Sequence, residues 1–180
     1  SWGEVGGGAA LSASGSFAGA PGFDRSEWIP LGTRHINMSR IGDALCDDDS
    51  VRALIVWNSN PAAVAPDLVK VRRGLTRDNL LLVVHEQFHT DTVDYADWVL
   101  PATTQLEQWD VHKAYGHHYV ALNHPAIEPM GECVTNNELF RRLAKAMGMA
   151  DPEFDLSDRA LVESAVSNEV FDELLSKGWY

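Results

Sequence analysis

The sequence predicts an α/β fold in three layers, with helices on both sides of a mainly parallel sheet. Three observations carry this. Apolar runs at Ala53–Trp57, Leu80–Val84 and Trp98–Leu100 each stop abruptly at polar, loop-forming residues. The second run is apolar without alternation, as expected of a strand covered on both faces. A helix-like segment separates the first two runs, giving the strand–helix–strand rhythm of a parallel unit.

Residues 1–32 are rich in Gly, Ala, Ser and Pro and have no period of either kind, so they read as an extended arm. Gly6-Gly7-Gly8 does not make a phosphate loop there. No strand precedes it, the spacing is not G-x-G-x-x-G, and no Lys-Ser/Thr follows. Residues 33–150 form the α/β domain. Ile41, Ala44 and Leu45 have the spacing of a short helix, which Asp47–Ser50 breaks before the first strand. After that strand, Pro66 suits the first turn of a helix and Asp67 complements its positive end. Leu68, Val69 and Leu75 supply its buried stripe, and Gly74 is its terminator. A short helix over Thr90–Tyr95 leads into the third strand. Residues 102–130 are turn-rich. Thr135 then reads as an N-cap with Glu138 reaching back to it. The helix it opens runs to about Met147 and shows one apolar face, Leu139, Phe140, Leu143 and Met147, before Gly148. Residues 151–180 form a C-terminal helical extension, with helices near Ser157–Ser164 and Asn168–Lys177 closed by Gly178.

Composition narrows the function. Fourteen basic against 26 acidic residues give a net charge of −12. Nucleic acid is thereby disfavoured as a partner, because phosphate backbones need clustered Lys and Arg. The nearest thing to a basic patch, Lys70, Arg72, Arg73 and Arg77, reads as the solvated face of one helix. Cys46 and Cys133 are too few for a disulfide scaffold or a four-cysteine metal site. No apolar run approaches the ~20 residues needed to span a bilayer. No signal peptide is visible, so a cytoplasmic location is expected. The chain does not begin with Met and reads as the start of an excised fragment.

Several motifs could carry chemistry. His85-Glu86-Gln87-Phe88-His89 is a literal H-E-x-x-H. A zinc hydrolase needs both histidines on one helical face, with the glutamate as general base. Here the motif follows a β-type run, where i and i+4 side chains do not meet, and no third ligand stands out. His112, His117, His118 and His124 are irregularly spaced and read as surface or loop-packing residues. The strand ends remain. Asn58-Ser59-Asn60-Pro61 is a tight polar turn suited to a phosphate or a sugar. His85-Glu86 stands where a parallel-sheet protein places its ribose-binding acid. Asn136 lies in the first turn of a helix, where free N–H groups and its amide can meet a polar ring or anion. Together they point to a nucleotide-like ligand.

Three stretches, VWNSNPAAVAPD, LLLVVHEQFHTDTVDYADWVLPATTQLEQWD and NHPAIEPMGECVTNNELFRRLAKAMG, resemble the third, Rossmann-like αβα domain of the molybdopterin oxidoreductases. That superfamily includes formate dehydrogenases and dimethyl sulfoxide reductase. The resemblance covers roughly residues 5–178. It implies a molybdenum enzyme with a bis(molybdopterin guanine dinucleotide) cofactor, one of whose guanosine diphosphate arms this domain grips. It places Asn60-Pro61 at the nucleotide and His85-Glu86 at guanosine, and it matches Thr90 and Thr92 to the family's T-x-T. The helix-start residue that contacts guanine is usually Asp, and here it is Asn136. An amide cannot accept two N–H bonds as a carboxylate does.

The resemblance also implies what lies elsewhere. The molybdenum ligand, the iron–sulfur motif of members that have one, and a C-terminal barrel belong to other domains of the parent chain, which are the expected partners. No catalytic residue or metal ligand is then expected in this chain, and no redox activity from it alone. The competing expectation is a structural domain of a related molybdenum-free subunit, as in NADH dehydrogenase.

Overall fold

A computed structural model describes residues 26–47, 49–113 and 117–180. They divide into two compact units. One comprises residues 30–104 and 129–140, and the other residues 26–29, 105–128 and 141–180. The extended arm expected for residues 1–32 falls largely outside the described residues.

The first unit is built on a parallel sheet of β1 (Ala53–Trp57), β2 (Leu81–Glu86) and β3 (Trp98–Pro101), with β2 in the centre. Ala53 pairs with Leu81 and Trp57 with His85, while His85 pairs with Leu100 and Glu86 with Pro101. The ladder therefore runs through His85 and Glu86, beyond the expected strand end at Val84. These polar residues continue the strand because each has a backbone partner on β3. Asp97 fixes where β3 joins. Its carboxylate accepts from the Leu82 N–H at 2.7 Å, and its own N–H donates to the Leu82 carbonyl at 2.9 Å.

Helices cover one face of this sheet. Leu54, Val56, Leu82 and Val84 pack against α1 (Ile41–Asp47), α2 (Pro61–Val64) and α3 (Leu68–Leu75). The single helix expected after β1 is in fact two. Pro61 starts α2, and Ala65 is extended, as the residue before a proline must be. Pro66 therefore sits in the bend between helices. Asp67 caps α3 from a left-handed conformation, its carboxylate accepting from the Lys70 N–H at 3.3 Å. The buried stripe of α3 is Val71, Gly74 and Leu75, while Val69 points to solvent. Gly74 lies inside the helix rather than ending it. A Cβ there would fall 2.4 Å from the Leu45 Cβ, so the glycine permits the close approach of α1 and α3.

Arg72 and Arg73 lie exposed on α3, as expected of a solvated face, yet the basic residues of this region also make specific bonds. Lys70 Nζ pairs with Asp43 at 2.6 Å, and Arg72 donates to the Ala62 carbonyl through Nε and Nη2. Arg73 reaches Cys46 Sγ, and Arg77 donates to the Leu45 carbonyl at 2.7 Å. The bond to Lys70, then that to Arg40, holds the Asp43 carboxyl below its usual range.

The opposite face of the sheet carries Ile55, Trp57, Leu81 and Trp98, all partly exposed, with Phe140 set edge-on against Trp57. The Thr90–Tyr95 helix is a 3-10 turn, Val93–Tyr95. Thr135 caps α4 (Asn136–Ala146) as expected, its hydroxyl accepting from the Glu138 N–H at 3.1 Å.

In the second unit, a hairpin of β4 (Asp110–Lys113) and β5 (Val120–Asn123) occupies part of the stretch expected to be turn-rich. Val120 packs with Val162, Phe171 and Leu174 of α5 (Asp158–Ser164) and α6 (Asn168–Lys177). Both helices carry serine N-caps, Ser157 and Ser167, and α6 ends at Gly178 in the left-handed conformation. Leu143 of α4 and Met147 just past its end are exposed, so the expected apolar face is only partly used.

Candidate functional site

The carboxyl ends of β1 and β2 and the start of α4 meet within the first unit. Asn58 follows β1 in the left-handed region, which asparagine tolerates better than most residues. Its Oδ1 accepts from Nδ2 of Asn136 at 3.1 Å. Two residues on, Asn60 Oδ1 accepts from both the N–H of Thr92 at 3.1 Å and its hydroxyl at 2.7 Å. The Thr92 hydroxyl in turn accepts from the Ala62 N–H at 3.1 Å. Asn60 Nδ2 completes the set with a bond to Asp91 at 3.3 Å. The turn after β1 is thus tied to the β2–β3 loop at one point and to α4 at another. Ser59 lies between the two ties, half-buried, and makes no hydrogen bond among the described residues.

His85 is 1% exposed at the end of the central strand. Its Nδ1 sits 3.1 Å from the Leu100 carbonyl, which can only accept, so Nδ1 carries the proton. Nε2 is left as a bare acceptor, buried and without a partner. Burial is the main influence on this ring and pushes its pKa below the ordinary 6.5, so the imidazole is neutral at pH 7. The Thr90 hydroxyl is a second buried polar group without a partner. Glu86 is half-buried, and its Oε1 accepts from the Gln87 N–H at 2.8 Å. Gln87 donates to the Thr103 carbonyl at 2.8 Å, fastening the loop to the chain beyond β3.

All nine residues singled out from the sequence lie in this one unit. They divide by what they touch. Asn58 and Asn136 bond each other, Asn60 and Thr92 bond each other, and Pro61 is buried as the first residue of α2. His85 and Thr90 hold unpaired polar atoms, while Ser59 is unpartnered. Asp91 and Gln87 were not anticipated. Both are ordinary loop residues in sequence, and only the folded loop shows their use.

The H-E-x-x-H motif spans the end of β2 and the loop after it rather than one helical face. His85 points its Nδ1 at a backbone carbonyl inside a strand, whereas His89 is exposed and lies 3.5 Å from Asp94. Among the described residues, no group of three or more His, Cys, Asp or Glu side chains could hold a metal ion. His124 packs its ring near Trp109, and His112 lies on β4. Cys46 and Cys133 are free thiols. No helix among the described residues is long and apolar enough to cross a membrane.

A family model described as molybdopterin oxidoreductase matches residues 34–146. The chain belongs to the molybdopterin oxidoreductase family. A Bacillus subtilis protein named probable oxidoreductase YoaE is 46% identical over 136 residues, covering 75% of this chain and 20% of that protein. The respiratory nitrate reductase subunit alpha of Haloferax mediterranei is 33% identical over 124 residues, covering 67% of this chain and 12% of its own. Among solved structures, acetylene hydratase from Pelobacter acetylenicus superimposes with a TM-score of 0.67 at 26% identity, over 80% of this chain and 20% of that one. The chain therefore spans about a fifth or less of these proteins. The family implies a molybdopterin cofactor, and the matched segment contains the whole strand-end cluster, from Asn58 to Asn136. The buried unpaired atoms of His85 and Thr90 fit such a polar group, since a buried polar atom without a partner is costly unless a ligand satisfies it.

Proposed function

We propose that this chain is the part of a molybdenum oxidoreductase that holds the guanosine diphosphate arm of a molybdopterin guanine dinucleotide. The observation that carries the reading is the pair of buried, unpartnered polar atoms, His85 Nε2 at the carboxyl end of the central strand and Thr90 Oγ1 in the loop that follows it. Ligands of parallel α/β sheets bind at that end. Neutral His85 can only accept through Nε2, so the ligand presents a hydroxyl or N–H to it. Glu86 offers its second carboxylate oxygen to the same kind of donor. Ser59 supplies a hydroxyl and a backbone N–H from the turn after β1. Asn136, oriented by Asn58, keeps its amide oxygen for the N–H edge of a base.

When bound, molybdenum supplies two-electron chemistry at the far end of the cofactor, and this chain's residues bind and orient the near end. The metal ligand, any iron–sulfur cluster and the substrate pocket then belong to other parts of a longer protein. These residues alone carry no redox step. A purely structural role, as in a molybdenum-free relative, is the competing reading, and it gives the unpaired atoms of His85 and Thr90 no ligand to meet.

The test uses the intact protein prepared free of molybdopterin and titrated with GDP. Ligand at 100 times its Kd stabilises by about 2.7 kcal/mol, a readily measured rise in Tm. ADP is expected to give a smaller rise. If GDP and ADP both leave Tm unchanged up to millimolar concentration, the reading fails.

A further inference from the structure

We infer that Asn60 and Thr92 do not touch the ligand but act as positioning residues, a cross-loop latch that sets where Ser59 and the turn after β1 stand relative to the β2–β3 loop. The inference rests on the nucleotide reading of the same site. Thr92 has no exposed surface, so its hydroxyl cannot meet a ligand without the loop unfolding. Its hydroxyl is also engaged in both senses, donating to Asn60 Oδ1 at 2.7 Å and accepting from the Ala62 N–H at 3.1 Å. Asn60 Oδ1 takes two donors from Thr92, and its Nδ2 goes to Asp91 at 3.3 Å. One side-chain pair thus joins two loops 32 residues apart. The loop on one side carries the unpartnered Ser59, and the loop on the other carries Thr90, whose hydroxyl lacks a partner. The latch therefore sets the spacing between two groups that face the ligand, and affinity depends on that spacing as preorganisation.

The experiment measures GDP affinity and Tm for the intact, molybdopterin-free protein and for T92V, T92S, N60A and the N60A/T92V double variant. T92V is expected to weaken GDP about tenfold, as lost preorganisation of a loop-borne site would. T92S keeps the hydroxyl and should stay within about twofold of wild type. N60A should match T92V, and the double variant should be no weaker than either single one, because both remove the same link. Additive losses in the double variant would show independent contacts and overturn the latch. So would wild-type affinity in T92V, or a T92S as weak as T92V. If T92V does not fold, N60A against wild type and T92S carries the same comparison. A wild-type protein that binds no GDP refutes the nucleotide reading and the positioning role together. Wild-type binding with an unaffected T92V and N60A refutes the positioning role alone.

Discussion

Replacing His85 with leucine is expected to separate stability from binding. The ring is buried, and its Nε2 has no partner in the ligand-free chain. An unsatisfied buried acceptor costs about 1–3 kcal/mol, which leucine removes. Leucine also removes the ring N–H bond to the Leu100 carbonyl, a loss of about 0.5–1.5 kcal/mol. The side chains are similar in volume, so no cavity of consequence opens. The balance lies between about −0.5 and +2.5 kcal/mol of added stability for H85L. In a chain of this length each 1 kcal/mol moves Tm by about 2–4 °C. The pH dependence sharpens the test. Burial lowers the folded pKa of His85 below 6.5, against the upward pull of the Leu100 carbonyl and Glu86. Above 6.5 both folded and unfolded chains hold a neutral ring, and this group makes no slope. As pH falls through 6.5 towards the folded value, only the unfolded chain gains the proton, and stability declines. H85L should abolish that slope while weakening GDP. The assay is thermal unfolding of the ligand-free intact protein between pH 5 and 8, beside a GDP titration. A loss of more than about 2 kcal/mol in H85L at pH 7.5 would mean the ring is a structural keystone and refute the reasoning.

Other substitutions test the scaffold that presents the site. G74A places a Cβ 2.4 Å from Leu45 Cβ, and the overpacking should cost about 1–3 kcal/mol, outweighing a helix-propensity gain of about 1. Chemical denaturation reads the difference. D97A removes the carboxylate that accepts the Leu82 N–H and should cost about 1.5 kcal/mol, with faster amide exchange at Leu82. T92V leaves the Ala62 N–H without its partner and should cost about 1–3 kcal/mol, largely restored in T92S.

Much of the first unit was legible because its strands are short apolar runs. The first strand was placed correctly at both ends, Ala53–Trp57, where the apolar run stops at left-handed Asn58. The second was cut short because His85 and Glu86 look like loop residues, yet their backbone pairs with β3. The β4–β5 hairpin escaped notice because Asp110-Val111-His112-Lys113 has only one apolar residue in four. The role of Gly74 and the partners of Lys70 and Arg73 were not legible because they depend on α1, whose Leu45, Cys46 and Asp43 approach only after folding. The candidate site was legible as residue types at strand ends, and family resemblance gave it a ligand. Its internal pairing was not legible. The Asn58–Asn136 bond spans 78 residues, and no local pattern announces it.

The central proposal is that His85, Thr90 and Ser59, at and after the strand ends, hold a guanine nucleotide arm. The most direct measurement is the guanosine monophosphate released by acid from the intact purified protein, counted against its molybdenum. The account predicts two per molybdenum in wild type, with clear loss of bound cofactor in H85L. Stoichiometric molybdenum and molybdopterin with no guanosine monophosphate would contradict it.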